Sequence, residues 1–129
     1  MFKVLMVDDE PDAEHLFRQN FRREIRRKDY EFLFAQSADQ ALQLLQDETS
    51  PEVMAVLSDI NMPGMTGLDL LDVVKRRTPD LTVIMITAYG DAGTETEARR
   101  RGAARLVSKP VDFADLKSEL AGLADRTAP

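Results

Sequence analysis

Short apolar runs alternate with longer amphipathic stretches along this chain. Apolar runs occupy Phe2–Val7, Tyr30–Ala35, 53–58, 81–86 and Arg105–Ser108. The run at 81–86 is apolar apart from Thr82, the composition of a strand in the middle of a parallel sheet. Residues 12–28 carry Phe17, Phe21 and Ile25 at spacing four, which predicts one helix with a single apolar face. Ser37-Ala38-Asp39-Gln40 is a capping box opening a second helix, with Ala41, Leu42 and Leu45 on its face and Thr49-Ser50-Pro51 at its end. Thr66 can cap a third, carrying Leu68, Leu71 and Val74. Asp112 caps the last, where Val111 and Leu116 staple the start and Phe113, Leu116, Leu120 and Leu123 form the stripe. Strand and helix signals in alternation predict a doubly wound α/β fold with a five-stranded parallel sheet.

One helix departs from this pattern. Between Asp91 and Gly102 the only apolar residues besides Gly93 are Ala92 and Ala98. Its support is the pairs Glu95–Arg99 and Glu97–Arg101, worth roughly a few tenths of a kcal/mol each. It is expected to dock weakly. Thr94 with Glu97 offers a second capping box that would start it late and leave 89–93 as a loop.

The 129 residues suit one domain, expected over 1–125 with a tail at 126–129. A formal net charge of −6 argues against general nucleic-acid binding, which needs a basic footprint. There is no cysteine, so thiolate metal sites and disulfides are excluded. No secretory h-region or membrane-length apolar run is present, and the expected setting is cytoplasmic, away from membranes.

The ends of the apolar runs hold the chemistry. Asp59 closes one run, Asp8 and Asp9 follow another, and Thr87 and Lys109 follow two more. In a parallel sheet these positions share the crevice at the carboxyl ends of the strands, where open α/β sheets place ligands. An ionised carboxylate next to a buried strand is costly unless paired. Three acids against one lysine leave a negative excess that a divalent cation would balance. Magnesium is the natural candidate, since it takes one or two carboxylates and keeps water or phosphate oxygens elsewhere.

Val7-Asp8-Asp9-Glu10-Pro11, Asp59-Ile60-Asn61-Met62-Pro63 with Gly67, Ile86-Thr87-Ala88-Tyr89 and Ser108-Lys109-Pro110 resemble the motifs of response-regulator receiver domains of two-component signalling. The resemblance extends from about Phe2 to Leu123. It implies a flavodoxin-like sheet of order 2-1-3-4-5 with helices on both faces. It implies that Asp59 accepts a phosphoryl group from a sensor histidine kinase or phosphotransfer protein. Asp8 or Asp9, Asp59 and the backbone carbonyl of Asn61 would ligate magnesium, and Thr87, Ala88 and Lys109 would hold the phosphoryl oxygens. Tyr89 and Leu106 would form the access and switch surface, and Lys109-Pro110 would be a cis peptide. The expected protein is a switch with self-phosphorylation and autodephosphorylation, not an enzyme for outside substrates. A haloacid-dehalogenase-like phosphatase would need a second Asp two residues after the nucleophile, and that position is Asn61. The output would be a downstream protein partner or an output domain beyond Pro129, and a homodimer is one arrangement the resemblance allows.

Leu106 stands where receivers often carry Tyr or Phe, and leucine has no ring plane to reorient. Readout is therefore expected through movement of 87–102. Among the remaining residues, His15 is expected on an exposed helix face. The basic run at 22–28 complements the negative end of the first helix. Met62 and Met65 are expected to pack the loop, and Gly67 to ease a tight turn into the third helix.

Overall fold

The computed structural model describes residues 2–46, 53–88, 90 and 92–127. Strands β1 (Phe2–Val7), β2 (Tyr30–Ala35), β3 (Ala55–Asp59), β4 (Thr82–Thr87) and β5 (Arg105–Ser108) form one parallel sheet in the order β2-β1-β3-β4-β5. The helices are α1 (Pro11–Asn20), α2 (Arg22–Arg26), α3 (Ala38–Gln46), α4 (Gly67–Arg77), α5 (Ala92–Arg100) and α6 (Phe113–Thr127). Successive strand side chains point to opposite faces, so each central strand feeds two cores. Phe2, Val4, Met6, Leu57, Ile84 and Ile86 pack with Phe17 and Phe21 of the first helical segment and Leu116 and Leu120 of α6. Leu5, Val7, Val56, Val83 and Met85 pack with Ala41 of α3, Leu70, Leu71 and Val74 of α4, and Ala98 of α5. The doubly wound architecture and strand order are those expected.

The single helix expected over 12–28 is two. Phe21 leaves helical geometry at φ −104° and ψ 14°. Its buried ring is seated 4.8 Å from Phe32 and edge-on to Tyr30, and the backbone bends to place it. Hydrogen bonds from Phe21 N to Phe17 O and from Ile25 N to Phe21 O cross the bend, so the apolar stripe survives. The strands also shift slightly. β3 begins at Ala55 and ends on Asp59, and β4 runs one residue later than expected, because Ile60 N still donates to Ile86 O beyond Asp59. Asp59 and Thr87 are thus the last residues of strands.

Caps follow sequence closely. Thr66 and Asp69 form a reciprocal capping box on α4, and Asp112 Oδ1 accepts from Asp115 N at the start of α6. Leu70 joins Leu71 and Val74 in the core, while Leu68 is only half-buried. At α3, Ser37 Oγ accepts from Gln40 N as expected, but Gln40 Oε1 accepts from Gln36 N rather than from Ser37. The expected end of that helix at Thr49-Ser50-Pro51 lies outside the described residues.

α5 begins at Ala92, so the alternative start at Thr94 is not adopted and Thr94 lies inside the helix. Glu95–Arg99 and Glu97–Arg101 pair as predicted. Two further anchors were not foreseen: Ala98 is fully buried, and Arg101 reaches Asp72 of α4 at 3.1 Å. Arg100 first and Arg101 second hold the Glu97 carboxyl down to about 2.

Helices α2 and α5 end in the same motif. Asp29 N donates to Glu24 O and Lys28 N to Ile25 O, while Ala103 N donates to Ala98 O and Gly102 N to Arg99 O. Both are Schellman endings, which put one residue in the left-handed region. That residue is Gly102 at φ 108° in α5 but Lys28 at φ 62° in α2. Replacing exposed Lys28 by Gly should stabilise the fold by about 1 kcal/mol, and Gly102→Ala should destabilise it by about 1–2 kcal/mol. Urea unfolding checks both; a destabilising Lys28→Gly would contradict the assignment.

Candidate functional site

Parallel register aligns the carboxyl ends of β1, β3, β4 and β5, and the polar residues cluster there. Asp8, Asp59 and Thr87 are all buried, at 6%, 4% and 1% exposure, in a protein whose other buried residues are almost all apolar. One oxygen from each of Asp8, Asp9 and Asp59 lies within 4.8 Å of the others. Asp9 is the most solvent-exposed of the three. Lys109 closes the site: its Nζ donates to Asp59 Oδ2 at 3.1 Å and to Asp8 Oδ2 at 3.4 Å. The peptide between Lys109 and Pro110 is cis, and Lys109 N donates to Thr87 O at 2.8 Å.

Backbone groups complete the carboxylate shell. Glu10 N donates to Asp8 Oδ1 at 2.9 Å, and Asn61 N donates to Asp59 Oδ1 at 3.2 Å. The loop after β3 is folded tightly over Asp59, with Gly67 N donating to Ile60 O. A Cβ on Gly67 would stand 2.1 Å from the backbone oxygen of Asp59. Gly67 is therefore required by close approach of two backbone segments, a contact beyond the tight turn into the third helix that the sequence suggested. Met62 is buried and Met65 packs against the core, as expected of loop packing.

Burial raises the Asp8 carboxyl above its ordinary range, with Asp59 adding to the rise and Glu10 N–H and Lys109 opposing it. Burial alone would lower the Lys109 ammonium, but its contacts with Asp59 and Asp8 more than offset that and leave it raised. The two shifts act on stability in opposite pH windows. Asp8 binds its proton more readily folded than unfolded, so its burial cost is present above the folded value and is relieved as pH falls through it. Lys109 contributes stability below the ordinary lysine range, and that contribution is lost as pH rises through its raised value.

The structure brings together Asp8, Asp9, Asp59, Asn61, Thr87 and Lys109. Ala88 is exposed directly after Thr87. Leu106 pairs in register with Met85 on β4 and packs, half-buried, against the core that holds α5. Tyr89 lies outside the described residues. His15 is exposed on α1, away from the cluster. Sequence reasoning assigned Asn61 only a backbone role, yet its side-chain Nδ2 donates to Thr87 Oγ1 at 3.3 Å. The available signal was a carboxamide two residues beyond Asp59.

The donor set is made of hard oxygens, with neither His nor Cys, and it has a negative excess. These residues fit a magnesium-type cation. Among the described residues no helix is long and apolar enough to cross a membrane.

Lys109→Met should expose the charge imbalance. With its cation gone, the acidic cluster should cost the fold about 1–3 kcal/mol near neutral pH, less than for a fully buried pair because Lys109 is partly solvated. The loss should shrink as pH falls and Asp8 takes its proton. Urea titrations over a pH series check this, and a loss independent of pH would contradict it.

Comparison with known proteins agrees with this geometry. The family profile described as response regulator receiver domain matches residues 4–121. The response regulator protein FleR of Pseudomonas aeruginosa is 37% identical over 85% of this chain and 22% of its own length. PilR of the same organism is 34% identical over 92% of this chain and 25% of its length, so the chain spans a quarter or less of these relatives. Sporulation initiation phosphotransferase F of Bacillus subtilis is 31% identical over 89% of this chain and 87% of its own. A solved receiver domain protein from Clostridium thermocellum superposes with TM-score 0.85 at 27% identity, covering 98% of this chain and 96% of that one. The chain belongs to the response regulator receiver domain family, whose members act as phosphorylation-dependent signalling switches.

Proposed function

We propose that Asp59 is the phosphoacceptor of this switch, in a receiver domain spanning residues 1–125. The observation that carries the reading is Lys109 Nζ bridging Asp59 and Asp8 on the strand edge that also holds Thr87. A carboxylate oxygen of Asp59 attacks the phosphorus of the donor. A bond from Asp59 to phosphorus forms, the bond from phosphorus to the donor breaks, and the donor group leaves with the electron pair. Such transfer depends mainly on positioning and on neutralising charge on the phosphoryl oxygens. Lys109 supplies an ammonium there, and the Thr87 hydroxyl a hydrogen bond, with Ala88 beside it at the open mouth. Asp8, Asp9, Asp59 and the Asn61 carbonyl would hold Mg2+. When bound, that cation offsets the negative excess which would otherwise repel an anionic donor.

The donor in this reading is a sensor histidine kinase or phosphotransfer protein in the cytoplasm. The recipient of the signal is a protein partner or an output domain of a longer chain. The lengths of the relatives support both arrangements, since FleR and PilR are much longer than this chain and the sporulation phosphotransferase is of similar length. The only chemistry proposed besides acceptance is hydrolytic loss of the phosphoryl group, with Tyr89 screening water from it. Because Leu106 offers no ring, the switch is read through movement of 87–102.

Incubation with acetyl phosphate and Mg2+ should add one phosphoryl group to the wild type by intact mass and none to Asp59→Asn. Chelating the Mg2+ should abolish the addition. Equal incorporation in both proteins would overturn the assignment.

A further inference from the structure

We propose that the first helical segment carries a second anion site, a groove that takes a chain of phosphates borne by a small molecule. It lies apart from the acidic cluster and does not depend on the phosphoacceptor reading. Helices α1 and α2 form a groove of about 510 Å³ lined by His15, Arg18, Gln19, Arg22, Ile25 and Arg26. Small-molecule sites occupy roughly 300–1,000 Å³, so the space suits such a ligand. Phe2 N donates to Asp29 O at 3.0 Å, so the chain after α2 rejoins the sheet where β1 starts. The Arg26 end of the groove therefore lies toward the amino ends of the strands, opposite the edge that holds Asp59.

The charges of the groove are arranged in a line. Arg18, Arg22 and Arg26 recur every four residues, and the hydrogen bonds from Phe21 N to Phe17 O and from Ile25 N to Phe21 O carry that spacing across the bend. Their Cα atoms therefore follow one another at about 6 Å along the helix. Arg18 is placed by Glu14 at 3.1 Å and by the Phe34 ring at 4.6 Å. Among the described residues Arg22 and Arg26 form no ion pair. The acids nearest them in sequence are engaged elsewhere, Glu24 with Lys117 at 3.0 Å and Asp29 with Arg27 at 3.1 Å. Two uncompensated guanidiniums thus line one groove in a chain of formal net charge −6. A guanidinium matches phosphate oxygens in a bidentate fork. Cations in a row favour an anion whose charge is strung out over one whose charge sits at a point. Half-buried Ile25 adds an apolar patch that a nucleobase can cover, and Gln19 an amide that can bond its edge.

Titration of isotope-labelled protein, followed through its backbone amides in chelator without Mg2+, tests the proposal. The probes are adenosine triphosphate, inorganic triphosphate and inorganic phosphate. Both triphosphates should give saturable shifts centred on residues 15–26, and inorganic phosphate should bind at least about tenfold more weakly because it engages fewer guanidiniums. Tighter binding of adenosine triphosphate than of inorganic triphosphate assigns the groove to a nucleotide, and equal affinity assigns it to a free oligophosphate. Arg22→Gln and Arg26→Gln should each weaken triphosphate binding roughly three- to tenfold, the range of one hydrogen bond made at a solvated site. Arg23→Gln removes the same charge from an exposed residue outside the groove and should change the affinity by less than about twofold. All three arginines are exposed, so these variants keep the core intact. Equal weakening in the three variants would show a diffuse field in place of a site. That result, shifts centred on Lys109, inorganic phosphate binding as tightly as triphosphate, or no saturation would each overturn the proposal.

Discussion

The ammonium of Lys109, facing Asp59 and Asp8 at the end of the sheet, is the interaction on which the site depends. Three carboxylates gathered within 4.8 Å repel one another, by about 4 kcal/mol per charged pair at 4 Å in a partly screened environment. One cation cannot cancel three anions. The folded chain therefore holds a negative excess at the carboxyl end of its sheet, and the two cores supply the balance. That imbalance makes the crevice receptive to a divalent cation. It also explains why burial moves the Asp8 carboxyl upward even with a lysine beside it.

Backbone packing holds this charge cluster in place. Gly67 lets the loop lie directly on the Asp59 carbonyl, and α4 starts there under the Thr66–Asp69 capping box. Thr87 ends β4 opposite Ser108, which places Lys109 one residue further along the same edge. Arg105 on β5 pairs with Asp115 and Glu119 of α6, tying the strand that carries Lys109 to the following helix. On the opposite face α5 is held by Ala98 and by Arg101 to Asp72. A helix with one buried small residue and exposed ion pairs is poorly anchored beside α4, which buries Leu70, Leu71 and Val74, or α6, which buries Leu116, Leu120 and Leu123.

Much of this was legible in the chain itself. The apolar runs gave the five strands, and the parallel register then assembled Asp8, Asp9, Asp59, Thr87 and Lys109 without further information. Phe17, Phe21 and Ile25 revealed the correct face, but not the bend, since a four-residue spacing reports which side is buried and is blind to a backbone adjustment that seats Phe21. Gly67 was legible at the tight entry to the third helix, but its close approach to the Asp59 oxygen was not, because that depends on a contact between segments that spacing cannot express. The Asn61–Thr87 bond and the Arg101–Asp72 pair were hidden likewise. Both join residues more than twenty positions apart, and their partners emerge only once strands and helices are packed.

Titration of isotope-labelled protein with Mg2+, followed through its backbone amides, tests the central claim most directly. The account predicts saturable shifts centred on Asp8, Asp9, Asp59 and Asn61, absent when Ca- and Mg-free buffer is restored with chelator. Shifts confined to other acidic surfaces, or none at these four amides at saturating Mg2+, would contradict it.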